Sequence, residues 1–333
     1  TATGGPELLH QLVHSLRLLG VNAYMYYLPV IDNPVHNEYK CYSNPYVRSI
    51  KDDPKSVLVV PEVRRFVEIL GNFHSVRKVI WWLSVDNFYK GYISNNYVNR
   101  LLNKLSVASD IFKENSYENR ARSLSANLDL LSIKNVSEAN YHLVQSQYAY
   151  DHLLGKRIDS SKIFYLSDYV NDSFLQIDLN SAKKRKRELV IYNPKKGFHF
   201  TKKIISSLPH VEFKALQNMT RQEVVDTMLS SKVYIDFGNH PGKDRMPREA
   251  ALCGNCVITG KRGSAGNNVD VSIPDEYKFD DSRENIPNIC RIIESCIEDY
   301  ERRIEDFSSY RQRIRDEKKA FESQVKSFVE VIL

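Results

Sequence analysis

Short, unbroken apolar runs recur along this sequence, each followed by a segment with helical spacing. Residues 56–60 (SVLVV), 78–85 (KVIWWLSV), 141–146 (YHLVQS) and 162–166 (KIFYL) are such runs in the first half. A strand with one wet face alternates apolar and polar residues. Runs without alternation suit strands covered on both faces, as in a parallel sheet. Parallel strands need crossovers, and the helical segments between the runs supply them. Residues 7–19 (ELLHQLVHSLRLL) carry apolar positions at helical spacing and stop at Gly20; a further helix follows residues 141–146 through Leu154. Residues 22–30, rich in tyrosine, read as an additional strand.

After the charge run 183–188 (KKRKRE) the same rhythm restarts. Strands are expected at 189–192 (LVIY), 211–215, 232–237 (KVYIDF) and 256–259 (CVIT), with a turn at 195–197 and helices at 200–208, 221–230 and 247–253. Residues 286–333 form a charged helical tail, whose stretch 298–319 mixes both signs and reads as a solvated helix face. The fold class is therefore α/β, with two Rossmann-like halves: a first domain over residues 1–180, a second over 181–305 and a tail over 306–333. Residues 1–7 (TATGGPE) already lie inside a glycine turn that a strand usually precedes. The reading expects that the sequence starts late or is a piece of a longer polypeptide.

With 333 residues, 42% of them hydrophobic, the chain can bury two ordinary cores. Its apolar runs fall far short of the ~20 residues of a membrane span, and residues 1–20 lack a basic stretch followed by an apolar core. The five cysteines (Cys41, Cys253, Cys256, Cys290, Cys296) are odd in number and show no framework spacing. That favours a reducing compartment, hence a cytoplasmic location. Cys253 and Cys256 read as packing residues, because no second ligand pair completes a zinc site. The net charge of +6 is compatible with nucleotide phosphates, anionic lipid or nucleic acid. Nucleic acid is set aside because the basic residues do not form an aromatic-interleaved face. Residues 183–188 read as a solvated linker, or as a peripheral contact with an anionic membrane, where each basic residue adds about 1 kcal/mol.

Two segments concentrate groups suited to an anionic ligand. Residues 193–197 (NPKKG) follow a strand, and ligands of open α/β sheets bind at the carboxyl ends of strands. Asn193, Lys195 and Lys196 would meet a pyrophosphate there, although an ordinary basic turn looks the same. Residues 237–254 (FGNHPGKDRMPREAALCG) run from a glycine-rich loop into a helix whose N-terminus favours a phosphate. Lys243 and Arg245 add positive charge, and Glu249, placed on the first turn, is suited either to ribose hydroxyls or to the helix dipole. Asp86 follows the run 78–85, where a carboxylate binds a sugar hydroxyl, acts as general base or caps the next turn. His240 is an acid/base or phosphate-binding candidate, or part of a simple turn with Pro241. His10, His14, His74 and His199 are too scattered for a metal site or a triad. The tyrosines Tyr24, Tyr26, Tyr27, Tyr39, Tyr42 and Tyr46 suit either sugar stacking or packing.

Residues 232–266 resemble the donor-binding region of the large retaining GT-B glycosyltransferase families (glycosyl transferases group 1). Glu249 with Ala250, Cys253 with Gly254, and the run 256–259 match the glutamate, alanine, small-residue turn and strand of those families. Lys196 with Gly197 resembles their donor-phosphate Lys-Gly. Gly4 and Gly5 followed by Glu7 resemble their N-terminal glycine loop, and residues 144–146, Leu153 and residues 162–168 the end of their first domain. The resemblance implies a GT-B fold: an acceptor-side domain and a donor domain facing across a cleft, with a C-terminal helix crossing back. It also implies sugar transfer from a nucleotide-sugar co-substrate, with no other cofactor, to a glycan or lipid-linked acceptor in bacterial-type surface polysaccharide synthesis at the inner face of the membrane. Gly4, Gly5, Asn193, Lys195, Lys196, Lys243, Arg245 and Glu249 would bind the donor, with Asp86 and His240 as catalytic candidates. The sequence has no Asp-x-Asp, so cations and helix N-termini, without a metal, are expected to stabilise the leaving phosphate. One departure is plain: the acidic residue those families carry eight positions before the glutamate is Pro241 here. A His-Pro pair also occurs in bacterial sialyl- and Kdo-type transferases. Two alternatives therefore stand, a transferase using a CMP-activated acidic sugar and a nucleotide-sugar-binding subunit without catalysis.

Overall fold

The computed structural model describes residues 4–94 and 110–332. Its strands are β1 (Met25–Tyr26), β2 (Tyr46–Val47), β3 (Val57–Pro61), β4 (Arg77–Trp82), β5 (Tyr141–Val144), β6 (Ile163–Tyr165), β7 (Arg187–Tyr192), β8 (Glu212–Ala215), β9 (Ser231–Asp236), β10 (Cys256–Gly260) and β11 (Lys278–Phe279). Two parallel sheets organise the chain. The first has the order β3-β4-β5-β6, the second β11-β10-β9-β7-β8. Val79, Ile80, Trp81 and Trp82 on β4 have no exposed surface, as do Leu189, Val190 and Ile191 on β7. Both sheets are covered on two faces, which is why their strands read as continuous apolar runs.

The helices that frame the site are α1 (Gly4–Leu18), α2 (Val85–Ser94), α3 (Gln147–Gly155), α4 (Phe198–Ser207), α5 (Arg221–Ser230), α6 (Arg245–Leu252), α7 (Ile286–Glu298) and α8 (Ser308–Ile332). Helix α5 opens with a capping box between Thr220 and Glu223. Helix α8 is a strap. Tyr310 and Ile314 join the core around the second sheet, while Phe321, Val325, Phe328 and Ile332 pack with Leu8, Leu12 and Leu16 of α1 against Val79 and Trp81. Those positions form one stripe at helical spacing, and burying a residue such as Phe321 contributes about 1.5–3 kcal/mol.

Several sequence expectations are corrected. Only Met25 and Tyr26 of residues 22–30 are strand. Pro29 has no N–H to donate, and the segment instead folds over α1, where the Tyr27 hydroxyl meets His10 Nε2 at 2.9 Å and Tyr39 stacks on the His10 ring at 4.8 Å. The run 78–85 ends as strand at Trp82, and Val85 begins a helix. Residues 183–188 span the end of a short helix, a turn and the start of β7, and they are solvated only in part. The Lys186 ammonium donates to the carbonyls of Met228, Ser231 and Cys253 at 3.0, 2.7 and 2.8 Å, and burial lowers it to about 7. Lys183 pairs with Glu305 and Arg185 with Asp226, while Lys184 and Arg187 are exposed. The tail is not uniformly solvated either, since Arg311 and Glu317 are buried. No helix among the described residues is long and apolar enough to cross a membrane.

Candidate functional site

In the second sheet the chain moves from β7 outward to β8, then returns past β7 to β9. Such a reversal opens a crevice at the carboxyl ends of the two strands, the place where α/β sheets of this order bind ligands. The loops after β7 and β9 meet there at backbone distance. Gly197 has φ 57°, and a Cβ on it would stand 1.3 Å from the Phe237 carbonyl oxygen; a Cβ on Gly238 would stand 2.3 Å from Lys196 Cβ. Only glycine fits at either position.

The first of these loops carries three of the candidate residues. Asn193 Oδ1 accepts from the Lys195 N–H at 3.0 Å, shaping the turn, and Lys195 is exposed. The Lys196 ammonium bonds to Asp244. Behind Asp244 lies a row of alternating charges. Asp244 Oδ2 is 2.8 Å from His240 Nδ1, His240 Nε2 is 3.8 Å from Asp236 Oδ1, and the Tyr234 hydroxyl donates to Asp236 Oδ2 at 2.8 Å. Although burial disfavours both ionised forms, the Lys196 and His240 charges hold Asp244 down at about 2, and the two aspartates raise His240. His240 has no exposed surface, and Asp244 stands between its ring and the Lys196 ammonium. Ligand atoms of Asp236, His240 and Asp244 lie within 4.8 Å of one another. Each carboxylate faces a different ring nitrogen, and an ammonium already sits on Asp244, an arrangement of alternating charges rather than a sphere around one cation.

Helix α6 starts at Arg245, two residues before the proline expected to open it. Pro247 is tolerated there because first-turn N–H groups have no partner within the helix. Glu249 consequently lies in the second turn. It is 2% exposed, and its carboxylate takes the Arg221 guanidinium at 2.7 Å.

Arg245 stands where the two halves of the molecule touch. Its guanidinium bonds to Glu7 of α1, and a Cβ on Gly4 would lie 3.5 Å from its Nε. Gly5 faces Leu83. The first described turn of α1 and the start of α6 therefore meet at one guanidinium, whose Nη2 has no hydrogen-bond partner among the described residues and whose Nε lies 3.7 Å from Asp168 Oδ2. An anion at this place meets an unsatisfied donor at the start of α6, beside the Glu7 and Asp168 carboxylates.

Around it the carboxyl ends of both sheets are joined by ion pairs. The Arg248 guanidinium, 1% exposed, bonds to Asp168 at 2.8 Å and to Glu317 of α8 at 2.6 Å. The Lys243 ammonium bonds to Glu317 at 2.9 Å and to the Ser167 hydroxyl at 2.9 Å, so its charge is balanced within this network. Asp86, in the first turn of α2, accepts from the Tyr148 hydroxyl at 3.1 Å and from the Asn239 amide. Asp270 accepts the first N–H groups of α3, from Gln147 and Tyr148, at 2.8 and 2.9 Å. A Cβ on Gly242 would lie 2.0 Å from the Leu83 carbonyl oxygen, which fixes how closely the halves approach. Asp168, Arg248, Glu317, Asn239 and Asp270 were not singled out in the sequence. For Asp168 a signal existed, its place just after the run 162–166.

No protein-family model matches the sequence, and comparison with curated protein sequences finds no match. Solved structures do match. A glycosyltransferase from Rickettsia africae aligns over 99% of this chain and 95% of its own, at 12% identity and TM-score 0.63. HepE from Anabaena, in complex with UDP and glucose, aligns over 99% and 96% at 14% identity and TM-score 0.55. A sucrose-phosphate synthase from Thermosynechococcus elongatus aligns over 98% and 89% at 10% identity and TM-score 0.51. The chain has the GT-B fold, as its resemblance to that class implied.

Proposed function

We propose that the protein transfers a sugar from a nucleotide-activated donor to a glycan or lipid-linked acceptor of the surface-polysaccharide kind. Arg245 carries this reading: a guanidinium at the start of α6, at the junction of the two halves, with a donor unsatisfied among the described residues, suits a pyrophosphate. On departure of the sugar, charge grows on the leaving phosphate, and Lys196 and Arg245 stabilise it without a metal. Glu249, at the buried side of α6, receives the ribose hydroxyls once Arg221 yields. Asp86 faces the junction from the first half and holds a sugar hydroxyl or takes the acceptor's proton. The match to HepE, crystallised with UDP and glucose, supports a uridine nucleotide as the first donor to try.

Calorimetry with UDP, GDP and CMP tests the reading, followed by release of UDP from UDP-glucose with and without EDTA. Binding of one nucleotide and turnover that survives chelation are expected. If none of these three binds, ADP and dTDP are tried next, and a protein that binds no nucleotide at all overturns the reading.

A further inference from the structure

A cavity of about 400 Å³ opens beside Gly197, on the flank of the crevice. Its cationic lining comes from both halves: Arg122 from the helix Asp110–Asn127, Lys203 from α4 and Arg262 from the loop after β10. Two carboxylates, Asp280 and Asp281, also line it. Asp281 is committed to Arg262, at 2.5 Å, and Asp280 is exposed. The side chains of Arg122 and Lys203 form no ion pair or hydrogen bond among the described residues. The cavity joins the site already described. Lys196 adjoins Gly197 on one side, and the Arg122 charge acts on Tyr148, the partner of Asp86, on the other.

Bringing unpaired cations of two separate elements to one hollow is electrostatically unfavourable, and an anion placed between them reverses the sign of that interaction. A neutral hydroxylated ligand needs no such arrangement. We propose that this cavity is a subsite for an anionic group, carboxylate or phosphate, carried by the sugar that is transferred or by the acceptor. The inference rests on the glycosyl-transfer reading for its role, but the binding it describes is measurable without it. Arg122 and Lys203 recognise the anion directly, while Asp281 keeps Arg262 oriented at the wall.

Calorimetry on the full chain uses glucose, glucuronate and glucose 1-phosphate as probes, with UDP as a separate ligand. Glucuronate or glucose 1-phosphate is expected to bind at least tenfold more tightly than glucose. An Arg122→Gln/Lys203→Gln double variant, changed only at side chains without a partner, should lose that preference and keep its UDP affinity within twofold. If UDP-glucuronate exceeds UDP-glucose by a similar factor, the anion sits on the transferred sugar; if the two bind alike, it sits on the acceptor. Equal binding of the three simple probes, or an anion preference that survives the double substitution, overturns the proposal. A protein that prefers the anions but does not bind UDP sinks the nucleotide reading and leaves the cavity assignment standing.

Discussion

The Glu7 carboxylate of α1 holds the Arg245 guanidinium at the start of α6, so an acid from the first half occupies a cation of the second. Both side chains are largely buried, at 17% and 15% exposure. A donor phosphate at this junction competes with Glu7 for the same guanidinium. Glu7→Gln removes the competing charge and preserves the shape. UDP affinity measured by calorimetry should rise by about five- to tenfold, equivalent to roughly 1–1.4 kcal/mol. An unchanged or weaker affinity would place the phosphates elsewhere.

Glu249 and Arg221 make a second such test. Glu249→Ala removes a buried acceptor that the ribose would use, and UDP binding should weaken by roughly ten- to a hundredfold, about 1.5–3 kcal/mol. Arg221 is more than half exposed, at 56%, and lies on the far side of the pair. Arg221→Ala should leave UDP affinity equal or improved. Equal losses in both variants would mean that the ion pair only supports the fold.

Lys196 separates binding from chemistry. Its cation meets charge that grows only as the leaving phosphate departs, so Lys196→Ala should lower kcat more than it raises KM for the donor. Asp244→Asn releases Lys196 and removes the partner of the buried His240, and should reduce kcat by about tenfold with the lysine intact. The comparison is steady-state kinetics on the two variants and the double variant. Fully additive effects on kcat would show that Asp244 does not act through Lys196.

Asp168 has no exposed surface and meets Arg248, which is 1% exposed, at 2.8 Å. Breaking a buried pair from one side strands the other charge, at a cost of about 3–5 kcal/mol. Asp168→Ala should shift the urea midpoint downward accordingly. A shift below about 1 kcal/mol would show that Glu317 alone satisfies Arg248.

Acid stability follows from buried imidazoles. Trp82 Nε1 donates to His142 Nδ1 at 3.1 Å, which requires that nitrogen to be unprotonated, and burial lowers His142 to about 4. His152, 2.7 Å from the Tyr89 hydroxyl, is lowered to about 4 by the same cause. In the unfolded chain these rings charge near their ordinary value of about 6.5. The folded state therefore has their full contribution above about 6.5 and loses it as pH falls toward 4, by up to on the order of 3 kcal/mol for His142. Urea unfolding at pH 7 and pH 4.5 measures the slope, and His142→Gln should flatten it. An unchanged slope in that variant would assign the acid sensitivity to other groups.

The strand and helix order was legible because burial on both faces writes itself into composition. Residues 189–192 and 256–259 announce β7 and β10 without reference to any partner. The loops after β7 and β9 were also legible, since glycines and lysines at strand ends mark where ligands bind. What those lysines and arginines touch was not. Arg245 and Glu7 are 238 positions apart, and Arg248 and Asp168 are 80 apart. The burial of His240 depends on Arg262 and Gly263 closing over its backbone, again a contact between separate loops. The basic run 183–188 was legible in part: Lys184, Arg185 and Arg187 are exposed as its charge density implies, while the acceptors that take up Lys186 are carbonyls, invisible in a sequence.

Helix α8 also sets the order in which a growing chain reaches its final state. The face of the first sheet carrying Val79, Trp81 and Leu143 is closed by α1, made before the strands, and by Phe321, Val325, Phe328 and Ile332, which a ribosome makes long after them. At about 5–20 residues per second, the part of that face under α8 stays uncovered for on the order of ten seconds. During this interval that part presents apolar side chains which only α8 will cover, the kind of surface that makes folding intermediates prone to association. Synthesis of α8, rather than completion of the first sheet, is the event that closes it.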